Sequence, residues 1–228
     1  MPSEHDDKRA LTGAFRPAVL LGAFAAIGVG LLWLIHVSTA DRISANERAF
    51  ILRNLDDLLP RDRYDNDPLA DIVYGHDPEL LGTKEPTSIW RVRRDGNPVA
   101  AVLQPVAPDG YSGDIALLVA VAVDGTLLGV RVTSHRETPG LGDAIERRRS
   151  DWILDFDNRS LENPEPGGWA VRRDGGVFDQ FTGATVTPRA VVSRVYKALQ
   201  YFSLHEEDIF DAPSGSTLPR VPAPEPEE

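Results

Sequence analysis

From Pro17 to Ala40 the chain runs for 24 residues without Asp, Glu, Lys or Arg, and most of them are apolar. As a helix rising about 1.5 Å per residue, such a run crosses a hydrocarbon core of about 30 Å. Trp33 and His36, near its end, suit a membrane interface. A cleaved signal peptide is the rival reading, because Val37-Ser38-Thr39-Ala40 offers small residues for cleavage. The run exceeds the roughly 7–15 residues of a usual signal core, so a retained single-span anchor is preferred. Residues 1–16, ahead of it, are polar and expected to be poorly ordered.

Charge and cysteine content narrow the functional classes. The chain has 228 residues, no cysteine and a formal net charge of −11. Residues 1–16 balance three basic side chains (Lys8, Arg9, Arg16) against three acidic ones (Glu4, Asp6, Asp7), and residues 17–40 carry none, so the whole −11 belongs to residues 41–228. Nucleic-acid binding needs a basic footprint, which this balance does not provide. Without cysteine there are no disulfides, thiolate metal sites or cysteine nucleophiles. His135 and Glu137 are metal-ligand types, but no third ligand has convincing spacing, so no metal is expected. Charge bias does not orient the span: Arg42, Arg48 and Arg53 after it match the three basic residues before it.

After the span, Ile43, Phe50, Leu55, Leu58 and Leu59 form an incomplete apolar stripe on a helix leaving the membrane, which Pro60 ends. Residues 60–88 are rich in Asp, Pro and Gly and read as turns with short extended pieces such as Asp71-Ile72-Val73-Tyr74. Trp90 to Asn97, with a Gly turn, leads to the apolar run Val99 to Val106 as a hairpin. The same octet pattern recurs from Trp169 to Gly176 and reads as a second hairpin with the same Asp-Gly turn. Ile115 to Val123, Asp124-Gly125 and Leu127 to Val132 make the strongest hairpin, its first strand apolar enough to be central. Residues 143–157 read as a charged amphipathic helix with Ile145, Trp152, Ile153 and Phe156 inward, and Asn158 to Gly168 as a loop. Arg93-Arg94, Arg147-Arg148-Arg149 and Arg172-Arg173 read as solvated faces. Residues 212–228, rich in Pro and Glu, lack core-forming side chains and are expected to be disordered. Antiparallel hairpins with flanking helices make the fold class α+β.

Asp179-Gln180-Phe181-Thr182-Gly183-Ala184-Thr185-Val186-Thr187-Pro188 reads as a loop opening a helix, with Thr187 as N-cap and Pro188 in the first helical position. Val191, Val192, Val195, Leu199 and Phe202 then recur at helical spacing, to about Phe202. Free N–H groups and the dipole at a helix start favour an anion, and two hydroxyls with a glycine there suit a phosphate. The plainer reading is an ordinary capped helix. His135-Arg136-Glu137-Thr138-Pro139-Gly140-Leu141-Gly142 reads as a strand-to-helix loop whose glycines allow close approach of a ligand or a sharp turn.

Asp-x-x-Thr-Gly-Ala-Thr (Asp179 to Thr185) matches the flavinylation motif Asp-x-x-Ser/Thr-Gly-Ala-Thr/Ser, which arises by chance on the order of once per thousand chains of this length. Gly110-Tyr111-Ser112-Gly113, Glu137 to Gly142 and Ser150-Asp151-Trp152 accompany it in order, over about residues 85–202. Together they resemble the FMN-binding domain of the RnfG family, the G-type subunit of the Rnf ion-translocating electron-transport complex. They are similar, less closely, to the C-type subunit of the sodium-pumping NADH:quinone reductase. The resemblance implies FMN held covalently by a phosphoester to Thr185. It implies that Gly183 and Ala184 leave the approach uncrowded and that Thr182 and Thr187 bond backbone or phosphate. Glu137, Thr138 and Leu141, with Gly140 and Gly142 in the same loop, are then the residues against the ring. Asp179 would serve the flavin transferase that installs FMN, and no residue of the chain is implied as a catalytic acid, base or nucleophile.

The same resemblance implies an FMN-binding domain over residues 85–211, behind a membrane-proximal segment, 41–84. It places the soluble domain on the periplasmic side of the bacterial inner membrane and residues 1–16 in the cytoplasm. It makes the chain one electron carrier of a translocase that couples electron transfer between ferredoxin and NAD to ion translocation, with other Rnf subunits as partners. Two alternatives stay open. One is the C-type component of the sodium-pumping reductase or another membrane FMN-domain protein; the other is a flavin-free, membrane-anchored binding or scaffold module.

Overall fold

The computed structural model describes residues 4–219, and for 4–18, 35, 40–48 and 50 the backbone alone. Two compact units divide the chain, residues 1–51 and 52–228. Helix α1 (Glu4–Leu58) runs for 55 residues. Within it, Val19–Thr39 is 21 residues long and apolar enough to cross a membrane. Leu21, Phe24 and Trp33 are all largely exposed.

One expectation changes in this helix. Residues 4–16 are helical, and no break separates the span from the membrane-proximal helix. Asp41 to Leu58 contain neither Gly nor Pro, so nothing there interrupts the helical hydrogen-bond ladder. Ile43 and Phe50, expected in its apolar stripe, lie outside the described side chains.

The second unit is built on an antiparallel sheet of β1 (Ile72–Gly75), β2 (Thr87–Arg94), β3 (Asn97–Leu103), β4 (Val106–Gly110), β5 (Gly113–Ala122) and β6 (Leu127–Ser134). The β2–β3 hairpin turns at Asp95 (φ 51°) and Gly96 (φ 78°), the two positive values that a tight primed turn needs. β5 is central: β3 pairs with Val119–Ala122 and β4 with Gly113–Ala116 along one edge, and β6 pairs along the other. Its residues Leu117 to Val121 are all buried, as their unbroken apolar pattern predicts. Helix α2 (Val186–Asp211) packs against β4 and β5 through Val191, Val192, Val195, Leu199 and Phe202. The buried Leu58 reaches the sheet at Gly129, where a Cβ would come within 2.8 Å of its Cδ2.

Between β6 and α2 the chain makes tight turns around an aromatic cluster rather than regular elements. Residues 143–157 are two 3₁₀ turns, Gly142–Ile145 and Trp152–Phe156, and not the single amphipathic helix expected. Ile145, Trp152, Ile153 and Phe156 are nevertheless all buried. Ser150 decides the break: its hydroxyl donates to Ala144 O (2.6 Å) and accepts from Trp152 N–H (3.2 Å), competing with the backbone ladder. The second octet is no hairpin either. Arg172–Asp174 form a 3₁₀ turn closed by Gly175, and Gly176 lies so close to Ala170 that a Cβ would collide with its carbonyl oxygen. Phe156, Trp169 and Phe178 pack together there, with Phe156–Phe178 centroids 4.6 Å apart.

The expected disordered tail also needs correction up to Pro219. Gly215 N–H donates to Ile72 O (2.7 Å), Tyr74 N–H to Ser216 O (2.9 Å) and Leu218 N–H to Tyr74 O (2.8 Å), so the segment adds to the free edge of β1. Leu218 is buried there. Arg91, on the neighbouring β2, holds the end of α2 by donating to Ile209 O and Ala212 O. Residues 220–228 lie outside the described residues.

Candidate functional site

The motif Asp179 to Thr185 sits immediately before α2, as read from the sequence, but its helix begins two residues earlier than expected. Val186 is the first helical residue, and Thr185 is the N-cap. Thr187 is therefore not the cap. Its side chain is fully buried, and its hydroxyl donates to Glu137 Oε2. The helix is also longer than expected, ending at Asp211 rather than near Phe202.

The loop before the helix is a tight turn. Ala184 N–H donates to Phe181 O (3.1 Å), and Gly183 takes φ +84°, a left-handed value that an L side chain would resist. Phe181 lies edge-on to Trp152 (centroids 5.1 Å), and Trp152 Nε1–H donates to Asp179 O (2.8 Å). Trp152 thus pins the first half of the motif. The Asp179 carboxylate is half exposed and pairs with Arg172 Nη1 at 2.8 Å.

Thr185 is half-buried and makes no capping hydrogen bond through its side chain. The first helical backbone bond closes back to it, from Arg189 N–H to Thr185 O (3.4 Å). The N–H groups of Val186 and Thr187 precede that bond and are the helix's orphan donors. Among the described residues the Thr185 hydroxyl has no hydrogen-bond partner, and it stands at a helix N-terminus, the place whose dipole and donors suit a phosphate.

The loop after β6 supplies the facing wall. Leu141 N–H and Gly142 N–H both donate to Thr138 O (3.1 Å each), and Gly140 N–H donates to Asp143 Oδ1 (2.7 Å). Glu137 is the joint of the site. Its Oε1 accepts from Ser112 N–H (3.0 Å) in the β4–β5 turn, and its Oε2 accepts from Thr187 at the start of α2. One carboxylate thus ties three separate segments together. His135 is fixed behind it: Nδ1 accepts from Glu137 N–H (3.0 Å), which leaves Nε2 to donate to Glu146 Oε1 (2.6 Å). The Arg148 guanidinium, and then the His135 ring, hold the Glu146 carboxyl well below the usual carboxylate range, to about 2.

These segments enclose a cavity of about 320 Å³ lined by Tyr111, Glu137, Thr138, Leu141, Gly142, Gly183, Ala184 and Thr187. Six of the sequence-derived site residues besides Thr187 fall in its wall. Thr182, Gly140, Asp179 and Thr185 do not, Thr185 being the residue after Ala184 of the wall. Tyr111 was not among the expected contacts, although an exposed aromatic in a Gly-Tyr-Ser-Gly turn was the available signal. A second cavity, about 310 Å³, is lined by Asp124, Glu162, Leu199, Phe202 and Glu206 among others, and holds none of the motif residues.

The donor set fits a flavin nucleotide. Tyr111 is 71% exposed and Leu141 45%, which is apolar surface that a planar ring would cover. The volume lies in the range of small-molecule sites, roughly 300–1,000 Å³. Thr185 follows the wall residue Ala184 in sequence and is the N-cap of α2, where a phosphate finds helix donors.

Comparison with known proteins agrees with this geometry. Residues 110–200 match the model of the FMN-binding domain, and residues 12–58 match that of the RnfG N-terminal region. The G-type subunit of an ion-translocating oxidoreductase complex from Pseudomonas aeruginosa is 53% identical over 192 residues, covering 84% of this chain and 90% of the relative. The chain belongs to the RnfG family. The same-named proteins of Pseudoalteromonas atlantica (47% identical, 85% of this chain, 90% of the relative) and Vibrio cholerae (42%, 90% and 97%) extend the likeness. Within RnfG, the FMN-binding match opens at Gly110 in the β4–β5 turn and closes within α2, so it spans every segment of the cavity wall. The RnfG N-terminal match covers the apolar span and most of α1.

Proposed function

We propose that the chain carries FMN as a phosphoester on Thr185 and works as an electron carrier within an Rnf-type complex. The observation that carries this reading is the Thr185 hydroxyl: inside the flavinylation motif, it belongs to the N-cap of α2, has no hydrogen-bond partner among the described residues, and directly follows Ala184 of the cavity wall in sequence. The bound flavin supplies the electron-accepting chemistry. The chain's part is to hold and orient it. The Val186 and Thr187 N–H groups stabilise the phosphate charge, and Tyr111 and Leu141 cover the ring with apolar surface. A covalent bond prevents loss of the cofactor to water on the periplasmic side, where the family resemblance puts the domain. Asp179, exposed beside the attachment residue, is accessible to a flavin transferase. Other members of the complex supply and remove electrons, so this chain alone completes no reaction with a soluble substrate.

The test is to co-express the full chain with a flavin transferase, denature it, and map an FMN-sized mass increase by peptide. The expected result is fluorescence that survives denaturation, with the mass on the Thr185 peptide and absent from Thr185→Ala. Covalent flavin persisting in that variant would refute the assignment.

A further inference from the structure

We propose that Glu137 places a fixed negative charge in the wall of the flavin cavity and so lowers the midpoint potential of the ring. The inference rests on the flavin reading above and concerns what this chain does to the cofactor once it is held.

Glu137 is only 4% exposed and lines the cavity. Both of its oxygens accept hydrogen bonds, from Ser112 N–H and from the Thr187 hydroxyl, which is the arrangement of a carboxylate. Among the described residues no cationic nitrogen pairs with it: Arg148 is committed to Glu146 and Arg149 to Asp143. The backbone makes room for it at two glycines. A Cβ on Gly142 would come 2.8 Å from Oε2, and one on Gly110 would come 3.0 Å from Oε1.

A strut between three segments does not need a charge. Burying a carboxylate with two donors and no cation is costly, and a neutral amide of the same shape would join the same segments. What the charge adds is a field. In a low-dielectric site a unit charge acts on its neighbours far more strongly than in water. An electron added to the ring without a proton places a second negative charge beside the carboxylate and is opposed. An electron added together with a proton leaves the ring's charge unchanged and is little affected. Glu137 therefore favours the oxidised ring and acts mainly on the step that takes up no proton.

The experiment is a spectroelectrochemical titration of the flavin-loaded full chain in detergent, for wild type, Glu137→Gln and Thr187→Val. Glu137→Gln keeps an acceptor for Ser112 N–H and offers an N–H to Thr187 while removing the charge. Thr187→Val keeps the charge but strips one of its donors. The expected shifts are opposite: upward in Glu137→Gln and downward in Thr187→Val. A purely structural strut leaves the potential of Glu137→Gln at the wild-type value, and mere loosening of the cavity shifts both variants the same way; either result overturns the inference. If Glu137→Gln fails to load, Thr187→Val decides alone, with an unchanged or raised potential counting against it. An unflavinylated wild type is a separate outcome, which removes the underlying reading as well.

Discussion

Gly142→Ala tests the tightest joint of the site. A Cβ at this position lies 2.8 Å from Glu137 Oε2, 2.9 Å from Glu137 Cβ and 3.0 Å from Thr187 Oγ1. Relaxed contacts of this kind sit nearer 3.5–4.0 Å, so each is well inside the repulsive wall. None of the three atoms yields freely. Glu137 Cβ is fixed to the backbone, Thr187 is β-branched and fully buried, and Oε2 is held by the Thr187 hydroxyl. Overpacking a core costs about 1–3 kcal/mol, and three rigid contacts place this case at about 2–3 kcal/mol. At roughly 2–4 °C per kcal/mol for a domain of this size, the melting temperature falls by about 4–12 °C. Gly140→Ala is the control: its φ of +78° costs a side chain about 1–2 kcal/mol, but nothing lies within 4 Å of the added methyl. Thermal melts of the full chain in detergent, followed by tryptophan fluorescence, compare the two, with flavin occupancy measured in parallel. Gly142→Ala is expected to melt lower than Gly140→Ala and to lose occupancy. A Gly142→Ala melt equal to wild type, or milder than the control, refutes the packing argument.

Three further outcomes follow from the same geometry. Glu146 has a folded pKa depressed to about 2 from an ordinary 4.5, so its stabilisation is present above pH 4.5 and is lost as pH falls toward 2. Urea midpoints measured across that window should therefore fall less steeply in Glu146→Gln than in wild type, and parallel slopes would contradict the assignment. Trp152→Phe removes the 2.8 Å bond to Asp179 O, costing about 1 kcal/mol, and should lower flavin occupancy by loosening the motif; undiminished occupancy means that the motif is held otherwise. Leu218→Ala should cost about 2 kcal/mol, the low end for a buried leucine because it packs at the sheet's rim, and should hasten proteolysis just beyond Asp211. An unchanged melt and digest would mean that the tail does not dock.

The site is partly legible in the residues alone. Two of the three segments that line the cavity, Glu137 to Gly142 and Asp179 to Thr187, stand out because their glycines and hydroxyls are local signals and the motif has a fixed spacing. The roles within them are less legible. Glu137 is expected at the ring as a contact, yet its oxygens are spent on Ser112 and Thr187. Trp152, which its spacing marks only as a core residue, also fastens the motif through its indole N–H.

The sequence by itself determined what neighbouring residues decide among themselves. The apolar span, the Asp95-Gly96 turn, the buried run of β5 and the start of a helix just after the Thr-Gly-Ala-Thr motif each follow from spacing and backbone preference within one short window. Tertiary structure alone decided which hydroxyl is free. Local rules favour Thr187 as the cap, with Pro188 behind it, and Glu137, 50 residues away from Thr187, overrides them by taking that hydroxyl, so that Thr185 caps the helix instead. The same reason explains the docked tail, whose conformation depends on a partner distant in the chain, the open edge of β1, whose arrival no local pattern records.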